Sequence, residues 1–480
     1  MAALARTWIA LGGLVAGVLA APVPGYVAVL AAAAGAGCCA RRRGGCRALG
    51  VVAIAFALGA LNATLRAPEQ EVADVLARGV PSCRIAGRTL EDAGGLGVLA
   101  ALDRAECANG RADDAGAAFL DGADLAAGRS FAASGWLIPL RDGPFDSARR
   151  RAGAAAAFRA TATEDLGPAS ALHGMAGRVR AGLATSAAPL GRAGQLLRGL
   201  TIGDTAGIDP RTEGSLRRSG LAHLLAVSGS NVAILLGTVA LALRSAPFRA
   251  RVGVCAATLA VFVLVVGPDA SVLRAAAMGA VALAALAYGK RNEPLHALGL
   301  ALVALVALRP GIVYSTGLHL SAAATAGIVL WTRPLAARLG RLPRPAATVL
   351  AATVAAQCAV APLLVAVFGR IPLGGLPANV FAVAAVPPAT VLGLAAAAVA
   401  PVAEAPAALL ARAASPFAAW ILYVGDTFGA PAWASVAVPR RLGAVLAVPA
   451  VAAAVRAVPV ALRRRERSLE AGAHKSPESR

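Results

Sequence analysis

Residues 217–244 read RRSGLAHLLAVSGSNVAILLGTVALALR, a mostly apolar stretch about one membrane helix long, bounded by arginines at both ends. Inside it sit His223, Ser228, Gly229, Ser230 and Asn231. Polar side chains at that depth are costly in lipid, so they are expected to face protein or a water-filled path. Ser and Gly taken alone are also consistent with close helix packing. His223 and Asn231 fit that account less well, because each brings several hydrogen-bonding groups that need partners. If the stretch is one helix, Ser228 and Asn231 are neighbours on one face, while His223 lies about 140° round from Ser228. Ser228 and Asn231 are therefore assigned to a transport route or its packing gate. His223 is assigned to a bond near the helix entrance, where Arg217 and Arg218 are placed to attract phosphates.

Composition points to the same class. With 480 residues, 58% hydrophobic, 15% charged and a mean hydropathy of +0.69, the chain reads as a polytopic membrane protein rather than a large soluble core. A net charge of +21 would suggest nucleic acid in a soluble chain. In a membrane protein, Lys and Arg collect in cytoplasmic loops, so charge alone does not establish a polynucleotide ligand. The seven cysteines form no CxxC pair, which argues against a zinc or thioredoxin-like site. No HExxH, GxSxG elbow, GK[ST] phosphate loop or two-metal histidine cluster is present. The expectation is a protein that is not an enzyme and has no cofactor or metal; ATP-driven work would need another chain.

Residues 1–65 read as N-terminal membrane helices. Pro22, Pro24 and Gly25 leave open whether the first apolar segment is one long helix or two short ones, and with it the side of Met1. Removal as a signal peptide is not expected, because the start is weakly charged and another apolar segment follows. Arg41, Arg42, Arg43 and Arg47 mark a cytoplasmic loop. A helix over 48–65 then leads outwards. Residues 66–170 turn more polar, and VPSCRIAGRTL, LGVLAALDRAEC and RSFAASGWLIPL read as short strands of a small extracytoplasmic, mostly β domain. Cys83 and Cys107 would then lie in an oxidising compartment and form a disulfide, the alternative being two unpaired core cysteines. Residues 171–220 form an amphipathic connector, lying on the membrane surface with its arginines at lipid headgroups or folding as ordinary surface helices.

Crossings are expected near 222–243, 252–266, 271–289, 295–308, 312–331, 346–367, 376–400, 412–428 and 443–462, giving about 9 to 12 transmembrane helices with the N-terminal ones. This count puts the loops at Arg244 to Arg251, Lys290 and Arg291, and Arg333 to Arg344 on one side with Arg41 to Arg47. A basic, disordered cytoplasmic tail follows over 463–480, while Arg440 and Arg441 fall on the outer face as an exception. Arg274 either snorkels to the surface or faces a central path towards phosphate or a carboxylate. His319 and Ser321 interrupt an otherwise small, apolar helix, where a satisfied packing histidine competes with a titrating one. Gln357 and Asn379 are polar groups near Pro362, Pro372 and Pro377, a setting for broken helices that line a cavity.

TIGDTAGIDP followed by LRRSGLAHLLAVSGSNVAIL resembles the signature region of the ComEC family of competence proteins. GPDASVLRAAAMG, RPGIVYSTGLHLSAAATAGI and AQCAVAPLLVAVFGRIPLGGLPANVFAVAAVP resemble three later family segments, so four ordered motifs fall between about 200 and 390. GWLIPLRDGPFDSARRRAG, with Phe145 and Asp146, resembles the end of the family's OB-like domain. The resemblance implies a polytopic α-helical membrane protein with a small extracytoplasmic OB-like domain and a channel domain over 221–462. It implies an inner-membrane channel component for uptake of single-stranded DNA in natural transformation. The expected partners are the strand, a DNA receptor protein, a separate nuclease, a cytoplasmic ATP-driven motor and the lipid bilayer, with the oligomeric state left open. The alternative is a small-molecule or lipid-related permease on the same fold.

The sequence departs from the family pattern at several points. Ser230 and Asn231 stand where many members have Leu-His, which keeps hydrogen bonding but removes a titratable group. Arg309 precedes Pro310 where an acidic residue is common, and Leu318 and His319 replace the usual Phe-Gln pair. Many members carry a C-terminal metallo-β-lactamase-like domain; no HxHxDH sequence occurs here, so a nuclease role is not expected. The channel or packing candidates are His223, Ser228, Asn231, Arg274, His319, Gln357 and Asn379.

Overall fold

A computed structural model describes residues 80–439, apart from short gaps at 93–96, 114–115, 124, 126, 142–145, 147–148, 150–153, 155, 206, 226, 290–293, 310–311 and 313–314. The helices assigned to 1–65, the span at 443–462 and the tail at 463–480 lie outside the described residues.

The first part is β. Strands β1 (Ser82–Asp92), β2 (Val98–Cys107), β3 (Gly110–Asp113), β4 (Ala117–Asp121), β5 (Arg129–Pro139) and β6 (Ala156–Pro168) form one sheet in the order β1-β5-β6-β4-β2-β3, with an additional β1–β2 pairing. Only β4 and β6 run parallel; the other pairs are antiparallel. Alternation explains the buried face: Cys83, Ile85, Gly87 and Thr89 point inward on β1, while Ser82, Arg84, Arg88 and Leu90 point out. Ile85, Leu102, Leu120, Phe131, Leu137 and Phe158 fill the core. Cys83 and Cys107 are opposed in the β1–β2 register and joined by a disulfide. Arg149 is buried against Asp121, donating from Nη1 at 3.0 Å, and its guanidinium lies over the Phe119 ring.

The second part is helical: α1 (Ala171–Ala187), α2 (Gly191–Ile202), α3 (Pro210–Arg218), α4 (Gly229–Ala242), α5 (Phe248–Val266), α6 (Ala270–Ala287), α7 (Pro294–Leu308), α8 (Thr316–Arg338), α9 (Arg344–Phe368), α10 (Gly375–Ala382), α11 (Val386–Val399) and α12 (Glu404–Gly429). A two-stranded ribbon of β7 (Arg370–Ile371) and β8 (Val436–Ala437) closes it. Local signals set several ends. Ser170, Asp209 and Ser315 accept backbone N–H groups at the starts of α1, α3 and α8, and left-handed Gly203 and Gly369 end α2 and α9.

The expected fold class is corrected here. Among the described residues, α5, α6, α9 and α12 are long and apolar enough to cross a membrane, and α10 with α11, bent by 58°, makes a fifth span if counted as one. The protein is thus multi-pass and mostly helical, with four or five candidate spans among the described residues, against the nine to twelve expected for the whole chain. The reason lies in length and polarity. The 14 residues of α4 and 15 of α7 reach only about 21–23 Å at 1.5 Å per residue, short of the roughly 30 Å hydrocarbon core. The 23-residue α8 is long enough but carries His319, Ser321, Thr325, Thr332 and Arg333, and it is not among the candidate spans. The six-stranded mixed sheet likewise replaces the OB-like domain expected from the sequence.

The connector is more deeply placed than an amphipathic surface segment. Leu196, Leu197 and Leu200 of α2 are fully enclosed, packed with residues of α10, α11 and α12. The two arginines of α2 are engaged within the protein. Arg192 pairs with Asp426 at 3.0 Å, and Arg198 donates to Asp204 from Nε at 3.0 Å. Close approaches elsewhere rest on small residues: a Cβ on Gly393 would lie 2.3 Å from Thr201, and one on Gly327 would lie 2.5 Å from the Ala359 methyl.

Candidate functional site

The organising stretch is not one continuous helix. A single 3-10 turn covers Ala222–Leu224, and α4 begins at Gly229 with Ser228 in an extended N-cap conformation. The expectation of a single membrane helix over 222–243 therefore fails, and with it the helical angle between His223 and Ser228. The Ser-Gly-Ser sequence at 228–230 provides the break, since such residues favour turns and helix starts.

The break brings polar groups together at the start of α4. Ser228 Oγ lies 2.5 Å from Ser230 Oγ and donates to Asn231 Oδ1 at 3.3 Å, so it makes no capping bond to the helix backbone. Asn231, 1% exposed, donates from Nδ2 to the Leu200 carbonyl at 2.7 Å. That carbonyl belongs to the last turn of α2, where carbonyls lack helical partners, so the Asn231 amide ties the end of α2 to the start of α4. Ser271 on α6 donates to the Val227 carbonyl at 3.2 Å.

Arg274, three residues along α6, is 4% exposed. Its Nε donates to Ser321 Oγ at 2.8 Å, and its Nη1 to Thr325 Oγ1 and Met278 Sδ, both at 3.1 Å. Thr325 passes its own proton to the Ser321 carbonyl at 2.9 Å. Every one of these partners is neutral. The space at Gly229 admits the guanidinium: a Cβ there would stand 3.2 Å from Arg274 Nη2. Arg274 is thus held inside the helical domain, between α4 and α8, rather than snorkelling.

A second polar group sits by the broken span. Gln357 on α9 donates to the Pro372 carbonyl at 2.8 Å, and Asn379 on α10 donates to Thr353 Oγ1 at 2.7 Å. These bonds bind the short α10 to α9. Gly220 packs backbone to backbone against Gly375 at the start of α10, at a left-handed φ of +70°.

The remaining sequence candidates lie apart from the Arg274 cluster. His223 is exposed, with Nδ1 3.1 Å from the Gly220 carbonyl. His319 is exposed on α8. Arg217 pairs with Glu213 at 2.6 Å, and Arg218 donates to the Gly429 carbonyl at 2.8 Å, at the C-terminal end of α12. Both arginines are thus engaged within the protein. Thr325 and Thr353 were not singled out from sequence. The signal for Thr325 was its place four residues after Ser321, which puts two hydroxyls on one face of an apolar helix. Among the described residues, no group of His, Cys, Asp and Glu is arranged to hold a metal.

The family model described as Competence protein matches residues 200–463, which is more than half of the chain and includes every element of this cluster. The chain belongs to the competence-protein family. No curated protein and no solved structure matches it. The matched region begins in the last turn of α2, whose leucines pack against α10, α11 and α12.

Proposed function

We propose that this competence-family protein carries single-stranded DNA across the bacterial cytoplasmic membrane during natural transformation, along the polar seam between α4, α6 and α8. The observation that supports it is a buried guanidinium, Arg274, surrounded by Ser and Thr hydroxyls in otherwise apolar helices. An ionised side chain at that depth is expensive and is retained where it meets a solute. Hydroxyl, amide and guanidinium donors suit a phosphate backbone and are indifferent to base identity. Strand passage breaks no covalent bond in this protein. A receptor would deliver duplex DNA, a separate nuclease would remove one strand, and a cytoplasmic ATP-driven motor would draw in the other.

The test measures internalised labelled strand and surface-bound DNA separately, in cells with equal amounts of membrane-inserted wild type, Ser321→Val or Ser228→Val. Reduced internalisation with surface binding retained is the expected result. Wild-type uptake in both variants, or uptake that persists without the gene, would overturn the reading and favour a permease of small molecules.

A further inference from the structure

We propose that the N-terminus of α4 and Arg274 together form a binding site for one phosphodiester group; the assignment of that group to DNA rests on the strand-passage reading above. Three independent features converge. First, α4 is a 14-residue helix whose N-cap serine makes no capping bond, because the Ser228 hydroxyl is turned to Ser230 and Asn231. The first backbone N–H groups of a helix have no intrahelical acceptor, and the helix dipole places partial positive charge there. Second, Arg274 is buried and, among the described residues, has only neutral partners, all on Nε and Nη1, with no acceptor on Nη2. A buried charge without a counterion is costly, and an anion supplied from outside would relieve it. Third, Nη2 lies against Gly229, the first residue of α4, where any side chain would crowd it. The guanidinium edge therefore lies at the start of the helix, next to the residue that precedes the exposed Ser230.

A phosphodiester suits this site. Its two non-bridging oxygens can meet Nη2 and a backbone N–H together, and the Ser228 and Ser230 hydroxyls can reorient to donate. One singly charged group matches one guanidinium. In a moving strand, such a site holds each phosphate in turn.

The test uses the purified full-length chain in dodecyl maltoside, a detergent without phosphate, with dimethyl phosphate as the probe and phosphorus NMR as the readout. Saturable binding is expected, weakened roughly tenfold or more by Arg274→Gln, as for loss of a hydrogen bond to a charged group. Gly229→Val, which retains Arg274 but crowds its Nη2, should weaken binding similarly, so the site stays testable if Arg274→Gln does not fold. No saturable binding to wild type, or unchanged binding to a folded Gly229→Val, would overturn the site. Displacement of the probe by oligothymidylate supports the DNA assignment. Displacement only by short-chain phosphatidylglycerol overturns that assignment and leaves a headgroup site. Strand uptake in cells is scored separately: uptake without probe binding sinks the site alone, whereas probe binding without uptake sinks strand passage alone.

Discussion

Asn231→Leu isolates the bond that joins α2 to α4. The two side chains have similar volume, so the principal loss is the Nδ2 donor that meets the Leu200 carbonyl at 2.7 Å. Ser228 and Ser230 keep each other as partners at 2.5 Å, which confines the unsatisfied group to that one carbonyl. An interhelical hydrogen bond in a membrane protein contributes about 0.6 kcal/mol on average and up to ~1.7. An orphaned buried acceptor costs about 1–3 kcal/mol, and at 1% exposure water does not replace the amide, so a loss of about 1–3 kcal/mol is expected. Asn231→Asp should be worse, because an ionised carboxylate has no proton to donate and would oppose the Leu200 carbonyl oxygen. Thermal unfolding of the purified variants in detergent gives the order wild type, then Leu, then Asp. Equal melting of wild type and Asn231→Leu, with Asp no lower than Leu, would refute the α2–α4 tie.

Replacing Cys83 or Cys107 by Ser should lower the stability of the β domain by about 2–4 kcal/mol, and non-reducing peptide mapping of the wild type should recover the linked pair; free thiols at both positions would count against it. The Arg129 guanidinium bonded to Asp165 holds that carboxyl below its ordinary value. Its folded-state value is the lower one, so the small contribution of this half-exposed pair is present above about pH 4 and disappears as pH falls further. Asp165→Asn should flatten that part of the stability–pH curve and leave neutral-pH stability nearly unchanged. Gly220→Ala should loosen α3 from α10, since a Cβ would stand 2.8 Å from the Gly375 Cα at a left-handed φ of +70°; a melt equal to wild type would contradict that packing. Cysteine labelling of whole cells should modify a site introduced near Asp121 and spare one near Arg338, and the reverse pattern would overturn an external β domain.

The sequence by itself determined the class, the family and the identity of most polar candidates. Hydropathy reports the solvent a segment prefers, and the motif from Thr201 to Leu235 is local in the chain, so both are legible without coordinates. The three stretches expected as strands lie in β1, β2 and β5, whereas β3, β4 and β6 were not named from the sequence. The number of spans was not, because apolar composition does not distinguish a helix that meets lipid from one that stops short. The 14-residue α4, broken from the preceding turn at Ser228, is the clearest case. Tertiary structure alone decided which side chains meet. Ser321 and Thr325 lie about fifty residues from Arg274, and Leu200 lies 31 from Asn231. No periodicity within one helix encodes such pairings, which follow from the packing of α2, α4, α6 and α8. The same packing left Arg217 and Arg218 engaged with Glu213 and the Gly429 carbonyl, and gave Arg274 only neutral partners among the described residues. A charge is visible in a sequence, but whether it is neutralised depends on what the fold places within hydrogen-bond reach.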